Sequence, residues 1–173
     1  MKILLLSLSA SGLLSIQALA AGPGSALEER SQSFTISLNG SMAEVVPLFG
    51  PVREAEWAPG WTPHFIHPAK SEQREGAVFT TTSAHGQERL WLLTAYDEKD
   101  GRVDYVFMTP GFTFNDIKIR VIPDGEKHCK ATITYRHSAL APEGNAEVEK
   151  LDAHWAEQQR VHCEQAINAT LGK

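Results

Sequence analysis

Asn145-Ala-Glu-Val-Glu-Lys-Leu-Asp-Ala-His-Trp-Ala-Glu-Gln-Gln-Arg-Val-His-Cys-Glu-Gln-Ala-Ile-Asn-Ala-Thr-Leu171 is the stretch around which the chain is organised. Apolar or aromatic side chains recur in it at Val148, Leu151, Trp155, Val161 or His162, Ala166, Ile167 and Leu171, close to the spacing of a helix that buries one face. Glu147, Glu149, Lys150, Glu157, Arg160 and Glu164 fill the other side. Pro142-Glu143-Gly144 breaks any preceding strand, and Asn145 is a residue type that caps a helix start. At roughly 1.5 Å per residue such a helix runs about 40 Å, enough to lie across a whole sheet.

Upstream the period changes from 3.6 to 2. Ser33-Phe-Thr-Ile-Ser-Leu38 alternates strictly and predicts a first strand with one buried face. Asn39-Gly40 ends it, and Ser41-Met-Ala-Glu44 is a capping box that opens a helix with Val45, Val46, Leu48 and Phe49 on its apolar side. Pro47 keeps that helix short or bent, and Val52 to Trp57 forms a second helical turn. Further strands are predicted at Pro63 to His67, Ala77 to Ser83, Glu88 to Tyr96, Arg102 to Met108, Asp116 to Ile122 and His128 to His137. The second and third of these join across a hairpin-like turn, Ala84-His85-Gly86-Gln87. In the last strand Cys129, Ala131, Ile133 and Tyr135 share a face, whereas Leu90-Trp-Leu-Leu93 is apolar on both faces and leaves Trp91 unoriented.

With 173 residues, 42% apolar and 21% charged, the chain has the composition of one folded domain with its own core. The formal charge is −5 and the Lys and Arg residues are dispersed singly, so no basic surface for nucleic acid is expected. Lys2, the apolar run Ile3 to Leu14 and Ala18-Leu19-Ala20 have the form of an export signal over residues 1–20. That run is too short to anchor in a membrane and is interrupted by Gln17, and no cysteine follows it to carry a lipid. The expected mature protein is periplasmic or secreted, not stably inserted in a membrane, and a monomer or dimer. Residues 21–32, rich in Gly, Ser and charge, read as a flexible leader, and residues 33–173 as the domain.

The order of elements, the Trp57-Ala-Pro-Gly-Trp61 turn and the Thr134-Tyr135…Leu140-Ala-Pro-Glu-Gly-Asn145 lead-in to the helix together resemble the START-like, birch-pollen-allergen-like superfamily (SRPBCC), which includes polyketide cyclases and dehydratases. The similarity spans about Ser33 to Leu171. It implies an α+β helix-grip fold: a curved antiparallel sheet of about six or seven strands wrapped around a long C-terminal helix, with two short helices after strand 1 and an apolar cavity between. Members of the superfamily bind lipids, sterols, quinones, polyketides or plant hormones, and a minority do chemistry on them. Most are cytosolic, so an exported chain departs from the pattern.

Aromatic residues are spread over most elements, Phe114 among them, and serve either to fill the core or to line a cavity. With the resemblance, Trp57, Trp61, Phe65, Phe79, Trp91, Tyr105, Phe107, Tyr135 and Trp155 become the candidate ligand-binding set. Trp155 is expected in the cavity's wall or floor and the Trp57–Trp61 turn near one end. The histidines give no metal site: His64 and His67 point to opposite faces of a strand, and His154 and His162 are about two turns apart. No metal motif, nucleophile elbow or phosphate loop occurs, so no metal, cofactor or catalytic residue is assigned; His67 or His154 could act singly as a cavity acid or base. If the long helix folds back antiparallel over the last strand, Cys129 and Cys163 both lie roughly 30 Å from the connection, and a disulfide between them is expected in an oxidising compartment.

These features favour binding or carriage of a small hydrophobic molecule (a lipid, a quinone or a polyketide-like compound). The first alternative is a cyclase, dehydratase or hydrolase acting on such a molecule, which would need two ionisable groups on one cavity; no such pair is identified. The second is a cavity-free stress or protein-interaction module with an exposed apolar patch as its partner face.

Overall fold

A computed structural model describes residues 26–83 and 86–172. The expected export signal over residues 1–20, residues 21–25 of the expected leader and Ala84-His85 of the expected hairpin turn lie outside the described residues. Seven strands form one antiparallel sheet in the order β1-β7-β6-β5-β4-β3-β2. They are β1 (Glu29–Leu38), β2 (His64–His67), β3 (Val78–Thr82), β4 (Glu88–Asp97), β5 (Arg102–Thr109), β6 (Thr113–Pro123) and β7 (Cys129–Ala139). After β1 come α1 (Met42–Val45) and two 3-10 turns, Val46–Phe49 and Arg53–Glu56; after β7 come α2 (Asn145–Glu149) and α3 (Ala153–Leu171). This is the helix-grip fold.

Local chemistry accounts for each boundary. The Glu44 carboxylate accepts from the Ser41 backbone N–H at 2.8 Å and from its hydroxyl at 2.7 Å, which opens α1. Pro47 then tightens the helix into a 3-10 turn, because a proline ring cannot continue the α ladder. In β1, Phe34, Ile36 and Leu38 are buried, while Ser33 and Thr35 on the other face pair hydroxyls with Thr134 and Thr132 at 3.0 and 2.9 Å. The strand begins four residues before the alternating pattern does. Glu29 to Gln32 pair in register with Ser138 to Tyr135, a backbone interaction that side-chain periodicity does not reveal.

The C-terminal helix is two helices, not one. The chain breaks at Lys150 to Asp152, and the Asp152 side chain caps α3 by accepting the Trp155 N–H at 2.8 Å. Val148 and Leu151 remain fully buried, so both pieces press the same side onto the sheet; this is why the apolar spacing reads as continuous. Asn145 does not cap a helix with its side chain. Its Oδ1 accepts the Glu28 N–H at 2.9 Å and its amide donates to the Ala26 carbonyl at 2.9 Å, clamping the strand that enters the sheet.

The register of α3 also separates the two cysteines. Asn168 accepts the Asn39 N–H and donates to the Ser37 carbonyl, at 2.8 and 2.9 Å, so Asn168 is level with Leu38, the residue paired with Cys129. Cys163 is five residues earlier, about 7 Å along the helix, against Ile133 and Tyr135. The expected Cys129–Cys163 bridge is therefore absent, and both thiols are free and buried.

The outer face of the sheet is divided. Over β5 to β7 it carries ion pairs: Asp104 between Arg102 and Arg120, and Asp116 with Arg136 at 2.5 Å. Burial raises the cost of ionising Asp104, but hydrogen bonds from Arg120 and Arg102 outweigh it and hold the carboxyl below its usual range. Over β3 to β6 the outer face is apolar, with Leu90 and Leu92 exposed beside Val106, Met108 and Phe114.

A lateral cavity between the sheet and the C-terminal helices

Most of the space inside the grip is filled. Phe49, Trp57, Trp91, Tyr105, Ile117, Ile119, Ile133, Tyr135 and Cys163 close around a void of about 30 Å³, room for a water or two. Filling follows from ring packing. Trp91 stacks on Phe79 and on Phe107, with centroids 5.8 and 4.2 Å apart, and meets Tyr105 edge-on. Its indole N–H donates to Thr81 Oγ1 at 2.9 Å, so the ring is fixed at both its apolar and its polar end.

A larger cavity, of about 240 Å³, opens beside this packed centre toward α2 and α3. A row of cross-strand neighbours makes its floor: Trp91 pairs with Phe107, Phe107 with Asn115, and Asn115 with His137. Their inward parity follows from the strand pleat. Trp155 forms the helical wall, edge-on to Tyr135 at 5.0 Å and to His137 at 6.3 Å. Glu147 of α2, Gln159 of α3 and Glu54 of the second 3-10 turn complete the lining with Arg89, Thr113 and Ile117. The turn into α2 sits close to the sheet: a Cβ on Gly144 would stand 2.2 Å from the Phe112 carbonyl oxygen, so only glycine fits there.

The lining is thus aromatic and polar together, not apolar as the sequence suggests. Three buried polar atoms in it have no hydrogen-bond partner: Arg89 Nε, Asn115 Oδ1 and His137 Nε2. Asn115 is 2% exposed, and its amide group is already committed to Thr113 Oγ1 at 3.1 Å and the Phe107 carbonyl at 3.5 Å. An unpaired buried polar atom costs about 1–3 kcal/mol, and all three of these belong to residues that line one cavity.

Burial also sets the protonation of the site. It pushes the half-buried Glu54 carboxyl up to about 8, and no hydrogen bond opposes the shift. It lowers His137 to about 4, with Arg89 adding to the effect and Glu147 working against it. Burial, helped by the charge of Glu54, raises Cys163 to about 12 and holds Tyr135 far above the ordinary phenol range.

The aromatic residues expected to bind a ligand divide three ways. Trp91, Phe107, Tyr135 and Trp155 line the larger cavity; Tyr105 and Trp57 line only the small void. Trp61 and Phe65 each pack on Phe79, which is fully buried between them and Trp91, and Trp61 also borders an open pocket at the Pro-Gly turn with Trp91 and Arg89. The indoles of the Pro-Gly turn are tied to backbone: Trp57 donates to the Leu48 carbonyl at 2.6 Å and Trp61 to the Pro51 carbonyl at 2.7 Å. Trp91 donates to a side-chain hydroxyl, and Trp155 is the one tryptophan whose indole N–H has no hydrogen-bond partner among the described residues. His67 and His154, the histidines singled out from sequence, are exposed and do not line the cavity. The cavity histidine is His137, which simply continues the inward parity of Ile133 and Tyr135. Glu54 and Arg89 also went unassigned, although Glu54 precedes Trp57 by one helical turn and Arg89 shares parity with Trp91.

No family model matches the chain, and no curated protein matches it by sequence. Solved structures match in fold. Norcoclaurine synthase from Thalictrum flavum, solved in complex with dopamine and hydroxybenzaldehyde, is 14% identical, with a TM-score of 0.61 over 98% of this chain and 96% of that one. Ara h 8.0201 is 13% identical, with a TM-score of 0.58 over 84% and 100%. A Thermobifida fusca protein solved by NMR is 18% identical, with a TM-score of 0.58 over 82% and 93%. These likenesses establish the helix-grip fold, the architecture of birch-pollen-allergen-like proteins.

Proposed function

We propose that this protein binds a small, largely aromatic molecule carrying polar groups, held in the lateral cavity between Trp155, Tyr135, Phe107 and Trp91. The observation that carries this reading is an aromatic-walled cavity whose lining also holds Arg89, Asn115 and His137, each with a buried polar atom that has no partner within the protein. Such atoms are the orienting groups of a ligand site, where a few placed donors and acceptors fix what the rings attract. An apolar cavity of about 150 Å³ can hold benzene, so a cavity of about 240 Å³ suits roughly one or two rings and not a long lipid. The complex of the norcoclaurine synthase fold neighbour with dopamine and hydroxybenzaldehyde is in keeping with that size. Native mass spectrometry of the mature protein from its own host tests the reading. A co-purifying adduct lost on organic extraction, and absent from a Trp155→Ala variant, is expected. A bare mass, with no thermal shift across single- and double-ring aromatics, would overturn it.

We also infer that binding takes place outside the cytoplasm, on the strength of the residue 1–20 signal pattern. The N-terminal sequence of the mature protein checks this: a start at Ala21 or Gly22 agrees, a start at Met1 does not.

A second reading, acid–base chemistry on the bound molecule, draws support from one observation: Glu54 and His137 share the cavity. Glu54, held near 8, can take up or release a proton at neutral pH. Under that reading Glu54→Gln keeps binding and loses conversion. Under simple carriage the recovered ligand is chemically unchanged in either protein.

A further inference from the structure

We propose that the occupant of the lateral cavity is an anion, a small aromatic carboxylate whose charge is taken by Arg89. The inference rests on the ligand-binding reading above and goes on to name the chemistry. Arg89 lies on β4, two residues before Trp91 and on the same inward face, and its guanidinium sits 5.6 Å from the centre of the Phe107 ring. The same ring meets His137 edge-on at 6.0 Å and pairs in register with Asn115. Phe107 is therefore a floor with a cation over its face and two hydrogen-bonding side chains beside it.

Charge bookkeeping decides the sign. Arg89 has no ion pair or hydrogen bond to another side chain among the described residues, and its Nε is buried without an acceptor. Glu147, the acid at the cavity rim, is held by Lys150 at 2.8 Å. Glu54 keeps its proton at neutral pH, and His137 is neutral there. Arg89 is the one cationic side chain lining the cavity among the described residues, and no protein carboxylate pairs with it. A planar fork of N–H donors matches a carboxylate in geometry as well as sign. Asn115 Oδ1 and His137 Nε2 have no partner within the protein, and a hydroxyl, which both donates and accepts, is the group that would suit either once a small side-chain rotation exposes it.

A matched pair of probes tests this. Naphthalene-2-carboxylate and naphthalene-2-carboxamide share rings and shape and differ in charge. Their affinities for wild type, Arg89→Gln and Arg89→Lys are measured by calorimetry, with melting temperatures as a check on folding. Wild type is expected to prefer the carboxylate by about 10-fold or more. R89Q should weaken the carboxylate far more than the amide, so that the preference is lost, and R89K, which keeps the charge but loses the fork, should fall between. Equal affinity of the two probes for wild type, or a preference that survives in R89Q, would overturn the assignment while leaving the cavity a binding site. Failure of both probes to bind folded wild type would overturn the binding reading and this inference together.

Discussion

The Asp152 carboxylate accepts the backbone N–H of Trp155 at 2.8 Å, and through that one bond the start of α3 is fixed where the Trp155 ring meets Tyr135. A cap at this position does two things. It satisfies an orphan donor of the first helical turn, and it sets the height of the cavity wall above the sheet. Asp152→Ala should cost about 1 kcal/mol of stability, and Asp152→Ser or Asp152→Asn should restore most of it. Urea titrations of the three variants check this; equal loss in all three would mean that the charge of Asp152 matters and not its cap.

Trp91 joins the packed centre to the cavity floor. Trp91→Ala removes the stacks on Phe79 and Phe107 and strands Thr81 Oγ1, and about 3–5 kcal/mol of destabilisation is expected. Trp155→Ala, at a half-buried position beside open space, should cost clearly less. The reverse order in chemical denaturation would place the core elsewhere.

Glu54 and His137 shape stability against pH in opposite directions. The carboxyl, raised from 4.5 to about 8, favours the folded state fully below about pH 4.5, and that contribution is lost as pH rises to about 8. The imidazole, lowered from 6.5 to about 4, favours the folded state above about pH 6.5, and that contribution is lost as pH falls through about 4. Glu54→Gln should therefore flatten the alkaline side of the profile, by on the order of 1 kcal/mol after allowance for its partial exposure. His137→Gln should flatten the acid side. A Glu54→Gln profile parallel to wild type between pH 5 and 9 would show an ordinary carboxyl at position 54.

Both cysteines should be thiols. Denatured without reductant, the protein is expected to take up two alkyl groups, and the native protein to react slowly, because burial raises both thiols and Cys163 to about 12. A denatured mass without alkylation would restore the Cys129–Cys163 bridge.

The fold was legible in the sequence wherever a side-chain pattern carried it. Ser33 to Leu38 alternates because one face is core, and Val148, Leu151, Trp155 and Ile167 keep helical spacing because they press on one sheet. What escaped was carried by backbone or by distance. Glu29 to Gln32 are polar yet zipped to β7, and the break before Asp152 lies within an unbroken apolar stripe. The candidate site was half legible. Aromatic content pointed to Trp91, Phe107, Tyr135 and Trp155, but Arg89, Asn115 and His137 are ordinary strand residues until the register sets Asn115 and His137 in the row of Trp91 and Phe107, with Arg89 two residues before Trp91 on the same face. Trp91 itself could not be oriented from Leu90-Trp-Leu-Leu93, because the outer face there is also apolar and Leu90 and Leu92 are exposed on it.

The four indole N–H groups give the most direct test of the lateral cavity. Trp57, Trp61 and Trp91 donate to protein oxygens, and Trp155 stands at the cavity wall, so each gives a distinct reporter in a 15N-correlated NMR spectrum. On titration with naphthalene-2-carboxylate, the Trp155 signal should move most, Trp91 should follow, and Trp57, which lines only the small void and is held by the Leu48 carbonyl, should move least. Movement of Trp57 with Trp155 unchanged, or no movement of any indole at saturating probe, would contradict a ligand site between the sheet and the C-terminal helices.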